Sequence, residues 1–227
     1  MTKAIIAFCQ VLLFTAVGVQ AFGQTEIKTV VIDAGHGGHD PGNLGTGRYR
    51  TTEKDVSLDV ALKLGEYIKD AFPSIKVVYT RSDDRFIPLN ERANIANRSK
   101  ADLMISIHCN SAKATSAAGT ETWVMGLHRS KENLEVAMRE NSVILLEDNY
   151  ESTYSDFNPR DPDSYIAMSL MQSAYLDQSV TLAAKIQEDF QKRVGRVNRG
   201  IKQGGLLVLY KSAMPAILIE LGFLTNA

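Results

Sequence analysis

The sequence predicts a single α/β domain, with a mainly parallel, twisted sheet of about six strands and helices on both faces. Three observations predict it. Short apolar, β-branched runs alternate with segments whose apolar residues recur at helical spacing. The run Val30-Val31-Ile32 breaks abruptly into the glycine-rich loop Gly35-His36-Gly37-Gly38, the kind of strand-end loop where α/β sheets bind ligands. Finally, roughly 200 residues remain after an apolar leader, which suits one domain with a proper core.

The leader spans residues 1–24. Lys3 is the only charge before Glu26, and the run from Ala4 to Val19 is apolar apart from Gln10 and Thr15. A positive start, an apolar centre and the small residues Ala21 and Gly23 make an export signal, with Val19-Gln20-Ala21 as its cleavage site. The run is short for a membrane anchor, which needs roughly 20 apolar residues. Past the leader Cys109 is the lone cysteine, so an intrachain disulfide is not expected although export would permit one. The chain carries 25 basic and 26 acidic residues, a balance that demands no nucleic acid partner. No later stretch is long and apolar enough to span a membrane, so none is expected to hold the processed chain there.

Taken in order, residues 25–227 begin with a strand at Lys28 to Asp33. Val56, Val60, Leu64 and Ile68 form one stripe of a helix over Asp55 to Ala71, and Thr52-x-x-Asp55 is a capping pattern that starts it. Lys76 to Thr80 is the second strand. Pro88 suits the opening of a helix that runs to Asn97. Leu103 to Ile107 and Thr120 to Met125 are the third and fourth strands. Residues 127–200 read as mostly helical, with one covering helix over Leu176 to Val194. Within them, Leu134 to Leu146 has helical spacing, whereas Asn149 to Ser164 is polar and aromatic, with Pro159 and Pro162, and reads as a mobile loop. Leu206 to Leu209 and Ala216 to Leu221 complete the strands. Alternation of this kind favours parallel pairing covered on both faces.

The chemistry-bearing residues fall at strand ends. His36 follows the first strand and His108 ends the third, so in a parallel sheet both emerge at one edge. Glu53 enters the first helix from that edge. Acids there also simply complement the helix dipole, so Glu53 alone is weak evidence. Two imidazoles and a carboxylate with one position open nevertheless match a catalytic zinc site. Glu220 lies among Ile219 and Leu221 near the end of the last strand, and a carboxylate buried in such company needs a partner or a task as general base. Cys109 alternates away from His108 and reads as a small buried hydrophobe. His39 and His128 read as solvated or structural, and the basic residues from Lys192 to Lys202 as a solvated face that could meet carboxylates.

The segments Asp33-Ala34-Gly35-His36-Gly37-Gly38, Glu53, Ser106-Ile107-His108-Cys109-Asn110 and Ile219-Glu220-Leu221-Gly222-Phe223-Leu224-Thr225-Asn226, in this order, resemble the zinc-dependent N-acetylmuramoyl-L-alanine amidases. The resemblance is to the family of cell-division and sporulation cell-wall amidases, and runs from about Val30 to Asn226. Arg81 and Leu89 to Asn97 fit it as well. The one departure is that the sequence stops at Ala227, where members usually continue into a closing helix. The resemblance implies one zinc ion on His36, Glu53 and His108, with Glu220 as catalytic acid/base and Asn110 as a substrate-orienting or structural residue. It implies hydrolysis of the amide between N-acetylmuramic acid and L-alanine of the peptidoglycan stem peptide, in wall remodelling or daughter-cell separation, by a periplasmic or secreted enzyme. Peptidoglycan and a protein activator are the expected partners, and a monomer the expected state. The insert at 127–175 matches a regulatory segment of the cell-division members; it either restrains the site, with Glu147 approaching the metal, or shapes the substrate groove. A zinc peptidase or deacetylase, and a wall-binding module without activity, are the rival classes.

Overall fold

The computed structural model describes residues 26–170 and 174–226; the leader lies outside them. Strand β1 is Thr29–Ala34, β2 Lys76–Tyr79, β3 Leu103–Asn110, β4 Thr120–Met125, β5 Asn198–Gly204 and β6 Ala216–Phe223. They form one sheet in the order β2-β1-β3-β6-β4-β5. All neighbours are parallel except β4 and β6, which run antiparallel. The helices are α1 Glu53–Ala71, α2 Leu89–Arg98, α3 Lys131–Asn141, α4 Tyr150–Thr153, α5 Pro162–Leu170, α6 Leu176–Val194 and α7 Leu207–Tyr210, with a 3-10 turn at Ser142–Leu146 after α3.

Strand alternation sorts the core into two layers. Val30, Ile32, Ile105, Ile107, Ile217 and Ile219 face α1 and α6, where they meet Leu64, Ile68, Ala183, Ile186 and Phe190. Val31, Met104, Trp123 and Leu218 face the other way, against α2, the insert and the segment Leu206 to Leu209. Helix α1 starts where the capping pattern puts it: the Thr52 N–H donates to Asp55 Oδ2 at 2.8 Å. Helix α6 has the bounds that its apolar stripe sets, and ends on Gly195 in a left-handed conformation.

Two expected elements differ. Leu206 to Leu209 is not a strand: Leu207–Tyr210 forms the short helix α7, with Leu207, Val208 and Leu209 buried on the second layer. A short apolar run carries no periodicity that separates a buried strand from a buried turn of helix. The fifth strand is instead Asn198–Gly204, a polar edge strand with two glycines, which begins at the end of the stretch 127–200 that reads as mostly helical. It pairs on one side only, so a single apolar residue, Ile201, suffices to anchor it. In the polar stretch Asn149 to Ser164 the chain forms α4 and the start of α5, with Tyr154 buried within it and Tyr165 just beyond it. No described helix is long and apolar enough to cross a membrane.

Candidate functional site

β1 and β3 are parallel neighbours with Ala34 opposite Ile107, so the loops that follow them leave the same edge of the sheet. His36 stands just beyond β1 in a left-handed backbone conformation, φ 59°. That strain is held from below. Arg92, buried in α2, donates to the carbonyls of Ala34 at 2.7 Å and His36 at 2.9 Å, and to Asp33 Oδ1 at 2.8 Å. Arg81 donates to the carbonyls of Ala34 and Gly35 at 3.0 and 2.8 Å. Asp33 is fully buried and also accepts from Thr80 and Ser106, each at 2.6 Å. Burial alone would raise its carboxyl, but Arg92 and the two hydroxyls outweigh burial and keep it below the ordinary carboxylate range. The loop carrying His36 is thus tied to the sheet by charge-assisted bonds.

The ring of His36 is oriented by Asp40, whose Oδ2 lies 2.7 Å from Nδ1. This turns Nε2 toward Glu53 and His108. Glu53, the first residue of α1, accepts from the Asn43 N–H at Oε2 and the Cys109 N–H at Oε1, both at 2.9 Å. Two glycines make the approach possible. A Cβ on Gly35 would lie 2.5 Å from His108 Nε2, and one on Gly42, φ +62°, would lie 2.6 Å from the His36 ring and 2.8 Å from Glu53 Oε2.

A fourth residue completes the cluster. Glu140, in the last turn of α3, joins His36, Glu53 and His108, and one ligand atom from each lies within 4.8 Å of all the others. Glu53 Oε1 is 3.1 Å from His36 Nε2 and from His108 Nδ1; Glu140 Oε2 is 3.1 Å from His108 Nδ1 and 3.6 Å from His36 Nε2. A tetrahedral zinc site with bonds of about 2.0–2.1 Å has ligand–ligand edges of roughly 3.3 Å, so these spacings fit one. The bonding fits too: His36 Nε2 and Glu140 Oε2 are buried without a hydrogen bond, a costly state that a shared cation relieves. Burial alone would lower His108, yet the carboxylates of Glu140 and Glu53 beside it raise it to about 9. Burial alone would raise Glu53, yet His36 and His108 beside it hold it at about 2. The paired carboxylates demand positive charge here, and imidazoles that meet that demand with protons release them to ligate a metal.

Glu220 stands opposite His108 on the adjacent strand β6, on the same face of the sheet. It is 1% exposed, and neither carboxylate oxygen has a hydrogen bond. Burial, then the charges of Glu140 and Glu53, push its pKa well above the ordinary value. Among the described residues, the cation within ion-pair reach is Arg139 of α3, 3.8 Å from Oε1. Arg139 also donates to Asn110 Oδ1 at 3.1 Å, and Asn110 in turn donates to Glu121 Oε2 at 3.0 Å. Asn110 therefore sits beside the cluster but is engaged with protein groups. The cluster opens on a cavity of about 1120 Å³ lined by residues from the β1 loop, the ends of β3 and β6, strands β4 and β5, and α3.

These positions bring together four residues that the sequence singles out: His36, Glu53, His108 and Glu220. Residues 30–227 match the N-acetylmuramoyl-L-alanine amidase family. The chain belongs to that family. It is similar to YqiI of Bacillus subtilis strain 168, an uncharacterized protein, with 33% identity over 222 residues that cover 98% of this chain and 82% of that one. Among solved structures, an N-acetylmuramoyl-L-alanine amidase from Clostridium difficile 630 is 32% identical, with 89% of this chain and 83% of that chain covered and a TM-score of 0.58. The catalytic domain of the amidase CwlV from Bacillus (Paenibacillus) polymyxa var. colistinus is 30% identical over 88% of this chain and 83% of that chain, with a TM-score of 0.55. The α/β domain with its mainly parallel six-stranded sheet is the architecture of these amidase domains.

One expected site residue is corrected. Glu147 does not approach the cluster. Its Oε1 accepts from the Leu89 N–H at 2.8 Å, and both oxygens accept from the Tyr154 hydroxyl, at 3.2 and 3.0 Å. It therefore caps the start of α2. A helix continuous from Leu134 to Leu146 would carry residues 140 and 147 on one face, two turns apart. The α-helix instead ends at Asn141, and the 3-10 turn Ser142–Leu146 sends the chain elsewhere. The insert does deliver a carboxylate to the cluster, but it is Glu140. The sequence holds a signal for it: Glu140 lies three residues beyond Ala137, on the buried stripe of an otherwise polar helix. Asp40 has one too, as an acid four residues after His36 within the same loop.

Proposed function

We propose that this amidase is a zinc-dependent hydrolase that cleaves the amide between N-acetylmuramic acid and L-alanine of the stem peptide, and that helix α3 restrains it at rest. The observation that carries the reading is the buried His36, Glu53 and His108 set beside Glu220, a carboxylate with no hydrogen bond. A zinc ion on that set supplies a Lewis acid that activates water and polarises the amide carbonyl. Glu220 accepts the proton of the attacking water and returns it to the departing amine of L-alanine. Its pKa, raised by burial and by the charges of Glu140 and Glu53, makes it a stronger base than an ordinary carboxylate, as this exchange requires. Arg81 and Arg92 keep His36 in register, and Asp40 fixes which ring nitrogen faces the metal.

Restraint rests on Glu140 and Arg139. The first occupies the fourth position of the cluster, where water or the substrate carbonyl has to bind, and the second lies against Glu220 and Asn110. Opening the site requires α3 to leave, a step that a protein activator would favour by binding the displaced form. Export by the leader would place the enzyme in the periplasm or outside the cell, acting as a monomer in wall remodelling or daughter-cell separation.

Digestion of purified sacculi, with products resolved by mass spectrometry, tests the activity. Free stem peptides beginning in L-alanine and intact glycan strands are expected. Cleavage within the peptide, or loss of acetyl groups alone, would transfer the chain to the peptidase or deacetylase class.

A further inference from the structure

The catalytic row continues past Glu220. His108, Glu220 and Glu121 stand opposite one another across β3, β6 and β4, on one face of the sheet. On β5 the register slips: Thr120 faces Asn198, whereas Thr122 faces Ile201, so one extra residue is accommodated there. Gly200 adopts φ +86° at that point, a conformation that favours glycine. The bulge moves Arg199 onto the face of Glu121, where its Nε donates to Glu121 Oε1 at 2.8 Å. Lys202 stands opposite Trp123, two residues on from Glu121, and so shares that face. Arg199 and Lys202 both line the catalytic cavity.

Neither cation is fully satisfied. The Arg199 guanidinium lies 5.0 Å from the Phe223 ring centroid and uses only Nε for its bond to Glu121, which leaves its Nη groups without a hydrogen bond to the described residues. Lys202 is half-buried and makes no hydrogen bond or ion pair with the described residues. Helix α3 adds Glu132, Glu135, Arg139 and Glu140 to the lining of the same cavity.

We propose that Arg199 and Lys202 form a carboxylate-binding subsite on the floor of the catalytic groove. It takes a free carboxylate of the substrate's peptide portion. Arg199 is pre-positioned by Glu121 and Phe223 and offers paired donors; Lys202 adds the uncompensated charge. The proposal rests on the amidase reading for its substrate.

The test compares a muramyl peptide whose peptide carboxylates are free with the same compound carrying them as primary amides. Hydrolysis of each is followed with native enzyme, Lys202→Met and Lys202→Arg, all zinc-loaded, and binding of the released peptide is measured by calorimetry. Lys202→Met is expected to raise KM for the free-carboxylate substrate about tenfold, the usual scale for one charge-assisted contact, with kcat unchanged. The amidated compound should show no such change, and Lys202→Arg should restore the native KM. An equal effect on both substrates, or none on either, would overturn the subsite while leaving the amidase activity standing. Lys202-dependent peptide binding without any hydrolysis would uphold the subsite and overturn the activity. If the native chain neither cleaves nor binds these compounds, both fall.

Discussion

Glu53 and Glu140 reach the same cluster from opposite ends of two unlike helices. Glu53 opens α1, where a carboxylate complements the helix dipole, and α1 is fixed along its length by Val60, Ala61, Leu64 and Ile68 in the core. Glu140 lies in the last turn of α3, where the dipole opposes a carboxylate, and α3 buries only Ala137, Glu140 and Asn141. Arg139 beside it offsets part of that cost, donating to Glu140 Oε1 at 3.0 Å. The segment just beyond α3 is different again: Val143, Ile144, Tyr154 and Tyr165 are buried in the second core layer. Helix α1 is thus buried along its length, whereas α3 is anchored by Ala137 and the partly buried Leu134, Val136 and Met138; under the proposed function Glu53 is the lasting ligand and Glu140 the removable one.

Substitutions can break or sharpen this contrast. The largest effect is expected at Glu53: Glu53→Ala should lose zinc and activity together, seen by metal analysis after dialysis, whereas the native chain retains about one zinc per chain. Full zinc occupancy in Glu53→Ala would remove it from the ligand set. Next is Glu220→Gln, which keeps the shape but accepts no proton. It should retain zinc and lose about 100-fold in hydrolysis, the range for general acid–base catalysis; near-native turnover would show that another group activates the water. The smallest is Glu147→Gln, which weakens the cap on α2. It should cost about 1 kcal/mol in denaturant unfolding, as lost caps do, without raising hydrolysis. Activation by this change would restore Glu147 as the restraining residue.

How legible these features are in the sequence follows from their local patterns. His36, His108 and Glu220 each end an apolar strand, and parallel strands carry such ends to one edge, so their meeting is legible from the strand pattern alone. The Thr52 and Asp55 pair and the α6 stripe are equally plain, because caps and 3.6-residue periodicity are local signals. Strand β5 is hidden: Asn198–Gly204 is polar, contains two glycines and leans on a single core residue. Leu206 to Leu209 attracts a strand assignment because an apolar run signals burial, which it has, and not extension, which it lacks. Glu140 escapes for a different reason. Choosing between Glu140 and Glu147 depends on where α3 stops, and helix ends without a glycine or proline at the boundary are poorly marked. Arg92 stands out only as part of a resembling segment; its hold on the His36 carbonyl is a long-range contact that no spacing reveals.

Central to this picture is Glu140 as a removable ligand over a working zinc site. The most direct measurement is sacculus hydrolysis by zinc-loaded Glu140→Ala beside the native chain, with metal content determined on the same samples. If the native site is open about a tenth of the time, clearing the fourth position raises the rate about tenfold. Faster release of stem peptides at unchanged zinc content is the predicted result. Loss of zinc from Glu140→Ala, or a rate no higher than native in a folded, zinc-loaded variant, would contradict it.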